Sequence, residues 1–193
     1  MKTVRSVRRQ VVLLVIAIVV SVTFFAFLAR EVQANDLTIG NIEYKITAFN
    51  ICNTIEDGDS VKVVSGGGNV IEAMEIAACI RKKDVIIEVE RAFSAATFIV
   101  LASKKVCFSP LTPIGFHSPH RYSEKGLMVM AGINELRDYS RFVGHRMKGW
   151  GYTDLEIYTI IGITLITPSN DMLILPYPYI QTLLGDRFIG ECK

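Results

Sequence analysis

The sequence predicts an α/β fold: a mostly parallel sheet crossed by helices, preceded by a separate apolar leader. Three observations carry that prediction. Strand-like and helix-like runs alternate, residues 61–64 then 70–80, and 85–89 then 97–102, which is the pattern of parallel strands joined by crossovers. The run Gly66-Gly67-Gly68 and the serine Ser94 each stand just after such a strand, at the carboxyl end where ligands gather in parallel sheets. Finally, residues 1–9 carry Lys2, Arg5, Arg8 and Arg9 with no acid, and residues 11–29 are apolar apart from Ser21 and Thr23.

The leader sets the first boundary. About 20 apolar residues suffice to cross a bilayer, and cations before them hold the N-terminus in the cytoplasm. Val32-Gln33-Ala34 places small residues at the last and third-last positions of a signal-peptidase site. Residues 1–34 are therefore expected to be a signal peptide or signal anchor, with cleavage after Ala34 favoured over retention and residues 11–29 meeting the membrane if it is retained. A buried core helix is disfavoured by the flanking charges. Residues 35–193 are expected outside the cytoplasm, periplasmic or anchored to the inner membrane facing outward.

The whole chain has 21 basic and 19 acidic residues. The leader holds five of the basic residues and one of the acidic, which leaves 16 and 18 and a net charge of −2. Such a balance gives no basic face for nucleic acid. Roughly 160 residues suffice for one domain with a proper core.

Within that domain residues 37–42 form a short strand candidate and residues 44–55 a helix candidate carrying Ile46, Phe49, Ile51 and Ile55. Glu56-Asp57-Gly58-Asp59 is a turn. The strand at 61–64, the glycine turn and the amphipathic helix at 70–80 follow, then a charged cap at 81–84 and the strand at 85–89. Ser94 opens an apolar helix, and Lys105–Phe108 is another strand. Pro110 and Pro113 break the chain before residues 114–117. Residues 126–147 carry Leu127, Met130, Ile133, Leu136, Phe142 and Val143 at helical spacing. Thr153-Asp154-Leu155-Glu156 fits a capping box. A strand at 172–175 and a segment to residue 189 close the domain. Cys52, Cys79, Cys107 and Cys192 would meet an oxidising compartment if exported, or remain buried thiols in apolar elements; spacing does not fix a pairing.

A serine hydroxyl needs a base and donors for the developing oxyanion before it attacks a carbonyl. Ser94, at a helix start, lies where backbone N–H groups lack intrahelical partners and the helix dipole favours an anion, and Ala95 N–H is the natural donor. Small residues at a helix start also serve as plain caps. Gly66 to Gly68 let backbone amides face a bound carbonyl or phosphate. The GK[ST] ending of a phosphate loop is absent, and GxGxxG does not fit. His117 closes the short segment after Pro113 and is the candidate base. Pro119 disfavours a helix that would align His120 with it, and with no C-x-x-C or H-E-x-x-H neither a metal nor another cofactor is expected. His145 belongs to the end of a basic helix and is expected at the surface.

The order S-G-G-G-N-V, then E-R-A-F-S-A-A-T-F-I-V-L-A-S, then P-I-G-F-H-S-P resembles the ClpP/crotonase superfamily, specifically ClpP-like serine peptidases. Their motifs run S-P-G-G-x-V, G-Q-A-A-S-M-G and a histidine closely followed by proline. The resemblance spans roughly residues 37–189. Gly66 stands where that family has proline, Glu90-Arg91 where it has Gly-Gln, and Ala96 where it has glycine. It implies ClpP/crotonase-like repeated ββα units, Ser94 as nucleophile, His117 as base, and Gly67 or Gly68 with Ala95 as the oxyanion hole. By its match to the family's E-R-D-x-F position, Asp171 in Ser169-Asn170-Asp171-Met172-Leu173 is the implied orienting carboxylate, with Asp138 and Asp154 as fallbacks. The implied activity is hydrolysis of peptides or unfolded proteins by a homo-oligomer. Alternatives are a catalytically degenerate member that binds or assembles, and a crotonase-type acyl-CoA enzyme. A Ser-Lys dyad is disfavoured, since Lys104 and Lys105 stand too close in sequence to Ser94.

Overall fold

The computed structural model describes residues 37–42, 46–122, 125 and 128–192. These belong to one compact unit, Asp36–Lys193. The expected leader, residues 1–34, lies outside the described residues. No helix among the described residues is long and apolar enough to cross a membrane.

The elements run β1 (Leu37–Ile39), α1 (Ile46–Thr54), β2 (Ser60–Ser65), α2 (Val70–Lys82), β3 (Ile86–Phe93), α3 (Ala95–Ala102), β4 (Lys105–Phe108), β5 (Ile114–Phe116), β6 (His120–Tyr122), β7 (Met128–Met130), α4 (Ile133–Gly149), α5 (Asp154–Ile166), β8 (Leu173–Ile174) and α6 (Tyr177–Leu184), with a 3-10 turn at Gly185–Arg187. Up to β4 a single helix follows each strand, so the first half is strand–helix alternation and not the serial ββα grouping implied by the resemblance. The region at 126–147 also departs from expectation. Met128–Met130 is a strand antiparallel to His120–Tyr122, and the helix begins at Ile133. Met130 and Ile133 satisfy a helical period, but Met130 stands opposite His120 in a hairpin, and backbone pairing overrides side-chain spacing there.

The sheet runs β1-β2-β3-β5-β8, with β4 also on β3. β1, β2, β3, β4 and β5 are parallel, and only β8 is antiparallel, to β5. Residues 86–89 of β3 pair with β4, whereas Ala92 and Phe93 pair with β5. Between them the register with β2 slips, Val63 facing Val89 and Val64 facing Arg91. Glu90 is the extra residue, a bulge that re-aims the end of the strand at the point where its neighbour changes.

α3 occupies the centre, and all eight of its residues, Ala-Ala-Thr-Phe-Ile-Val-Leu-Ala, are buried. Helices apolar all round belong in a core. α2 packs beside it, burying Ala73, Met74, Ile76, Ala77 and Ile80, and opens on the side chain of Asn69, whose Oδ1 accepts Ile71 N–H at 2.9 Å and Glu72 N–H at 3.1 Å. The capping box at Thr153 forms, with Glu156 N–H donating to Thr153 Oγ1 at 3.3 Å and Thr153 N–H to Glu156 Oε2 at 2.7 Å. All four cysteines pair: Cys52–Cys79 joins α1 to α2, and Cys107–Cys192 ties the C-terminal segment to β4.

Candidate active site

Ser94 fills the single residue between β3 and α3. Its φ of 53° and ψ of −125° make it the one non-glycine residue with positive φ among those described. Holding a residue with a Cβ in such a region costs of order 1–3 kcal/mol and persists only where the surroundings over-determine it. Here they do. Ser94 N–H donates to Gly115 O at 2.9 Å and Ser94 O accepts Thr97 N–H at 3.1 Å. The buried Thr97 hydroxyl is shared between Ala92 O at 3.0 Å and Gly115 O at 2.9 Å. A strained serine on a strand-to-helix turn is the geometry of a nucleophile elbow, which holds the hydroxyl clear at the strand end.

The glycine turn lies against this elbow. A Cβ on Gly67 would come within 2.7 Å of both Phe93 O and Ser94 Cβ, so only glycine allows the approach. On Gly68, at φ +137°, a Cβ would penetrate the Ile42 carbonyl. Ile42 N–H donates to Gly67 O at 2.8 Å and Asn69 N–H to Ile42 O at 3.0 Å, fixing the turn from the other side. Gly66 N–H is taken by Asn41 Oδ1 at 2.9 Å and Gly67 N–H by Ser65 Oγ at 3.1 Å. Gly68 N–H and Ala95 N–H carry no hydrogen bond among the described residues. Of the two glycines named from sequence, Gly68 is thus the one with an amide to offer, and Gly67 is the spacer that brings it close.

Register brings the histidine in. Phe93 pairs with Gly115 in the parallel ladder, so Ser94 is level with Phe116 and His117 follows by one residue. His117 Nδ1 lies 2.8 Å from Ser118 O. A carbonyl only accepts, so Nδ1 bears the proton and Nε2 the lone pair. Burial lowers the pKa of His117 below its ordinary value; the Ser118 bond works in the opposite direction, and His120 adds to the lowering. The His120 ring sits 5.1 Å from that of His117, tilted by 33°. No helix aligns the two; the extended turn through Ser118 and Pro119 does.

Ser94, Ala95, Gly67, Gly68 and His117 line one cleft of about 650 Å³, together with Phe98, Phe116, Tyr139 and His120. No Asp, Glu, Lys or Arg lines it among the described residues. Asp171 lies elsewhere. Its exposed carboxylate accepts Met172 N–H at 2.7 Å, its own N–H donates to Pro168 O at 3.0 Å, and it makes no hydrogen bond to His117. The tight turn after α5 spends that carboxylate on its own backbone, and the Ser118 carbonyl occupies the orienting position. Asp138 and Asp154 are exposed and paired, with Arg137 at 3.7 Å and Lys148 at 3.0 Å. Lys105 is paired with Asp84 at 2.8 Å, beyond the far end of α3. His145 is exposed. Sequence reasoning missed two cleft residues. Tyr139, whose phenol burial pushes its pKa up and which bonds Thr164, was hidden inside an amphipathic helix pattern; His120 was visible only as a second histidine after a proline.

No protein-family model matches the chain, and no curated protein matches it in sequence. Solved structures do match. The 1510-N membrane-bound stomatin-specific protease, as a serine-to-alanine mutant, is 19% identical with a TM-score of 0.55, covering 83% of this chain and 81% of that one. A lysine-to-alanine mutant of the same protease, in complex with a substrate peptide, is 19% identical with a TM-score of 0.53, covering 83% and 77%. ClpP1 from Listeria monocytogenes is 16% identical with a TM-score of 0.57, covering 86% and 97%. The resemblance read from the motifs therefore holds at the level of architecture: this chain has the fold of the ClpP-like serine proteases.

Proposed function

We propose that the chain is a serine endopeptidase that hydrolyses peptides or unfolded proteins outside the cytoplasm. His117 Nε2 takes the proton of Ser94 as Oγ attacks the peptide carbonyl. Gly68 N–H and Ala95 N–H receive the oxyanion, the amine leaves with the proton from His117, and water releases the acyl group by the reverse sequence. Ser118 O keeps the imidazole in the tautomer this requires. Each oxyanion donor is typically worth about 3–4 kcal/mol of barrier.

The observation that carries this reading is the strained Ser94 held between two unpaired amides. A crotonase-type acyl-CoA enzyme would use the paired amides without needing a serine at the strained position. The peptidase neighbours support peptide substrates and a homo-oligomer. Two disulfides support an oxidising compartment, in keeping with residues 1–34 as a signal peptide or anchor. A non-catalytic binding role is favoured by one feature, the lack among the described residues of a carboxylate bonded to His117.

The deciding experiment is fluorophosphonate labelling with peptide mapping. The expected result is an adduct on Ser94, absent in Ser94→Ala and lost or greatly slowed in His117→Ala. A folded chain that takes no adduct supports the binding role instead.

A further inference from the structure

The pairs Ser118-Pro119 and Thr167-Pro168 meet through a backbone hydrogen bond beside the cleft, and the proposed reaction uses neither proline. We propose that Pro119 and Pro168 are positioning residues: each aims one backbone carbonyl, and the two carbonyls in series hold the His117 imidazole where a carboxylate would otherwise hold it. The catalytic consequence rests on the serine peptidase reading; the anchoring of the ring does not.

The first link is His117 Nδ1–H to Ser118 O at 2.8 Å. A backbone carbonyl fixes the tautomer and orientation of an imidazole as a carboxylate does, but it brings no negative charge, so its value depends on direction. The direction of a carbonyl is set by the ψ of its own residue, and a following proline confines that angle to the extended range, about +120 to +160°. Pro119, which itself lines the cleft, therefore limits where the Ser118 oxygen can point.

The second link repeats the device. Ser118 N–H donates to Thr167 O at 2.8 Å. Thr167, followed by Pro168, has φ −80° and ψ 122°, inside the range that a following proline imposes. Ser118 and Thr167 are both buried, where water cannot replace a lost partner. Thr167 is tied in turn to the end of α5, its N–H and Oγ1 both donating to Ile163 O, at 3.3 and 2.8 Å. From the other side Asp171 N–H donates to Pro168 O at 3.0 Å. The aspartate expected behind the imidazole thus braces the second proline instead.

The test uses the full chain in detergent micelles, labelled with ¹⁵N-histidine. The chain has only three histidines, so the His117 signals are assigned by their loss in His117→Gln, and long-range couplings separate the Nδ1–H from the Nε2–H tautomer. The native neutral ring is expected as Nδ1–H. In Pro119→Ala, and to a smaller extent in Pro168→Ala, the Nε2–H form should appear. Fluorophosphonate labelling of Ser94 should slow by about 10- to 100-fold in Pro119→Ala and by a smaller factor in Pro168→Ala. Pro110→Ala, in the turn closed by Thr112 N–H on Ser109 O, should change neither readout. Urea midpoints measured alongside separate slowed labelling from lost folding. A native ring in the Nε2–H form, which needs no variant to see, overturns the proposal, and so does a folded Pro119→Ala or Pro168→Ala chain with the native tautomer and rate. A chain whose Nδ1–H ring is lost in the proline variants, yet which never labels, keeps the anchor and refutes the peptidase reading instead.

Discussion

At its N-terminal end α3 leaves Ala95 N–H unpaired behind a strained serine, whereas at its C-terminal end the carbonyls are clamped. Leu101 O accepts from Tyr152 Oη at 2.8 Å and from Arg187 Nη1 at 2.7 Å. Ala102 O accepts from Arg81 Nη1 at 2.8 Å and Ile99 O from Ser103 Oγ at 2.6 Å. Every helix leaves such groups orphaned at both ends; this one has its last carbonyls taken by side chains and leaves Ala95 N–H open at the other end. The two guanidinium groups also complement the negative end of the helix dipole, and burial pushes the Tyr152 phenol up to about 12, keeping it a donor. Arg187 further rests 4.5 Å over the Tyr152 ring. One buried helix thus carries a stabilising end and a reactive end, and the difference shows how a core element can be rigid and still present open donors.

Breaking the clamp should have the larger effect on stability. Arg187→Ala removes the bond to Leu101 O together with those to Leu184 O at 3.0 Å and Leu183 O at 2.9 Å. A loss of about 2–4 kcal/mol is expected, read as a lower urea midpoint at constant slope. Ser94 labelling per folded molecule should persist. Arg187→Lys should recover little, because an ammonium lacks the planar fork that meets three carbonyls. If labelling falls in step with stability, the two ends are not separable.

Relieving the strain at the other end should act in the opposite sense. Both Ser94→Ala and Ser94→Gly remove the nucleophile, but alanine keeps a Cβ at φ 53° and glycine does not. Glycine's gain in strain is partly offset by its greater unfolded-state entropy. Ser94→Gly should therefore be the more stable of the two by about 1–2 kcal/mol, measured by denaturant titration of both proteins. Equal stabilities would mean that the elbow holds no strain.

Asp171→Asn sharpens the account of the reactive end. A buried aspartate behind a catalytic histidine is worth about 10⁴ in rate. Asp171 is exposed and bonded to Met172 N–H, so its replacement should change the labelling rate by less than about tenfold. A loss near the larger figure would show that the carboxylate swings onto His117 when substrate binds.

Most of the fold was legible because period and punctuation agree: the runs around 61–64, 70–80 and 85–89 became β2, α2 and β3, and the turn at Gly66 to Gly68 follows its strand. Ser94 was legible for the same reason, standing alone at a strand end. What escaped depends on contacts distant in sequence. Choosing Gly68 over Gly67 as donor needs Ser65 Oγ to claim one amide. The bulge at Glu90 appears only in register with β2. Arg81 and Arg187 converge on the end of α3 from opposite sides of the sequence, and either reads there as an ordinary surface cation. The cysteine pairs likewise needed spatial proximity, with Cα atoms 5.7 Å and 5.0 Å apart.

The smallest expected effect concerns pH. His117 is half-buried, and desolvation, with His120 beside it, places its pKa below the ordinary 6.5 despite the bond to Ser118 O. The unprotonated base therefore survives into mildly acidic solution. The rate of Ser94 labelling should hold as pH falls through 6.5 and decline only below it. Stability carries the same sign. Between the folded value and 6.5 the unfolded chain binds a proton at this site that the folded chain refuses, so unfolding is favoured as pH drops and stability rises with pH across that window. His117→Gln should flatten that part of the stability profile while leaving the carboxylate-driven fall at lower pH intact. A labelling midpoint above 6.5 would mean instead that an anion faces the imidazole in solution, which would return Asp171 to the site.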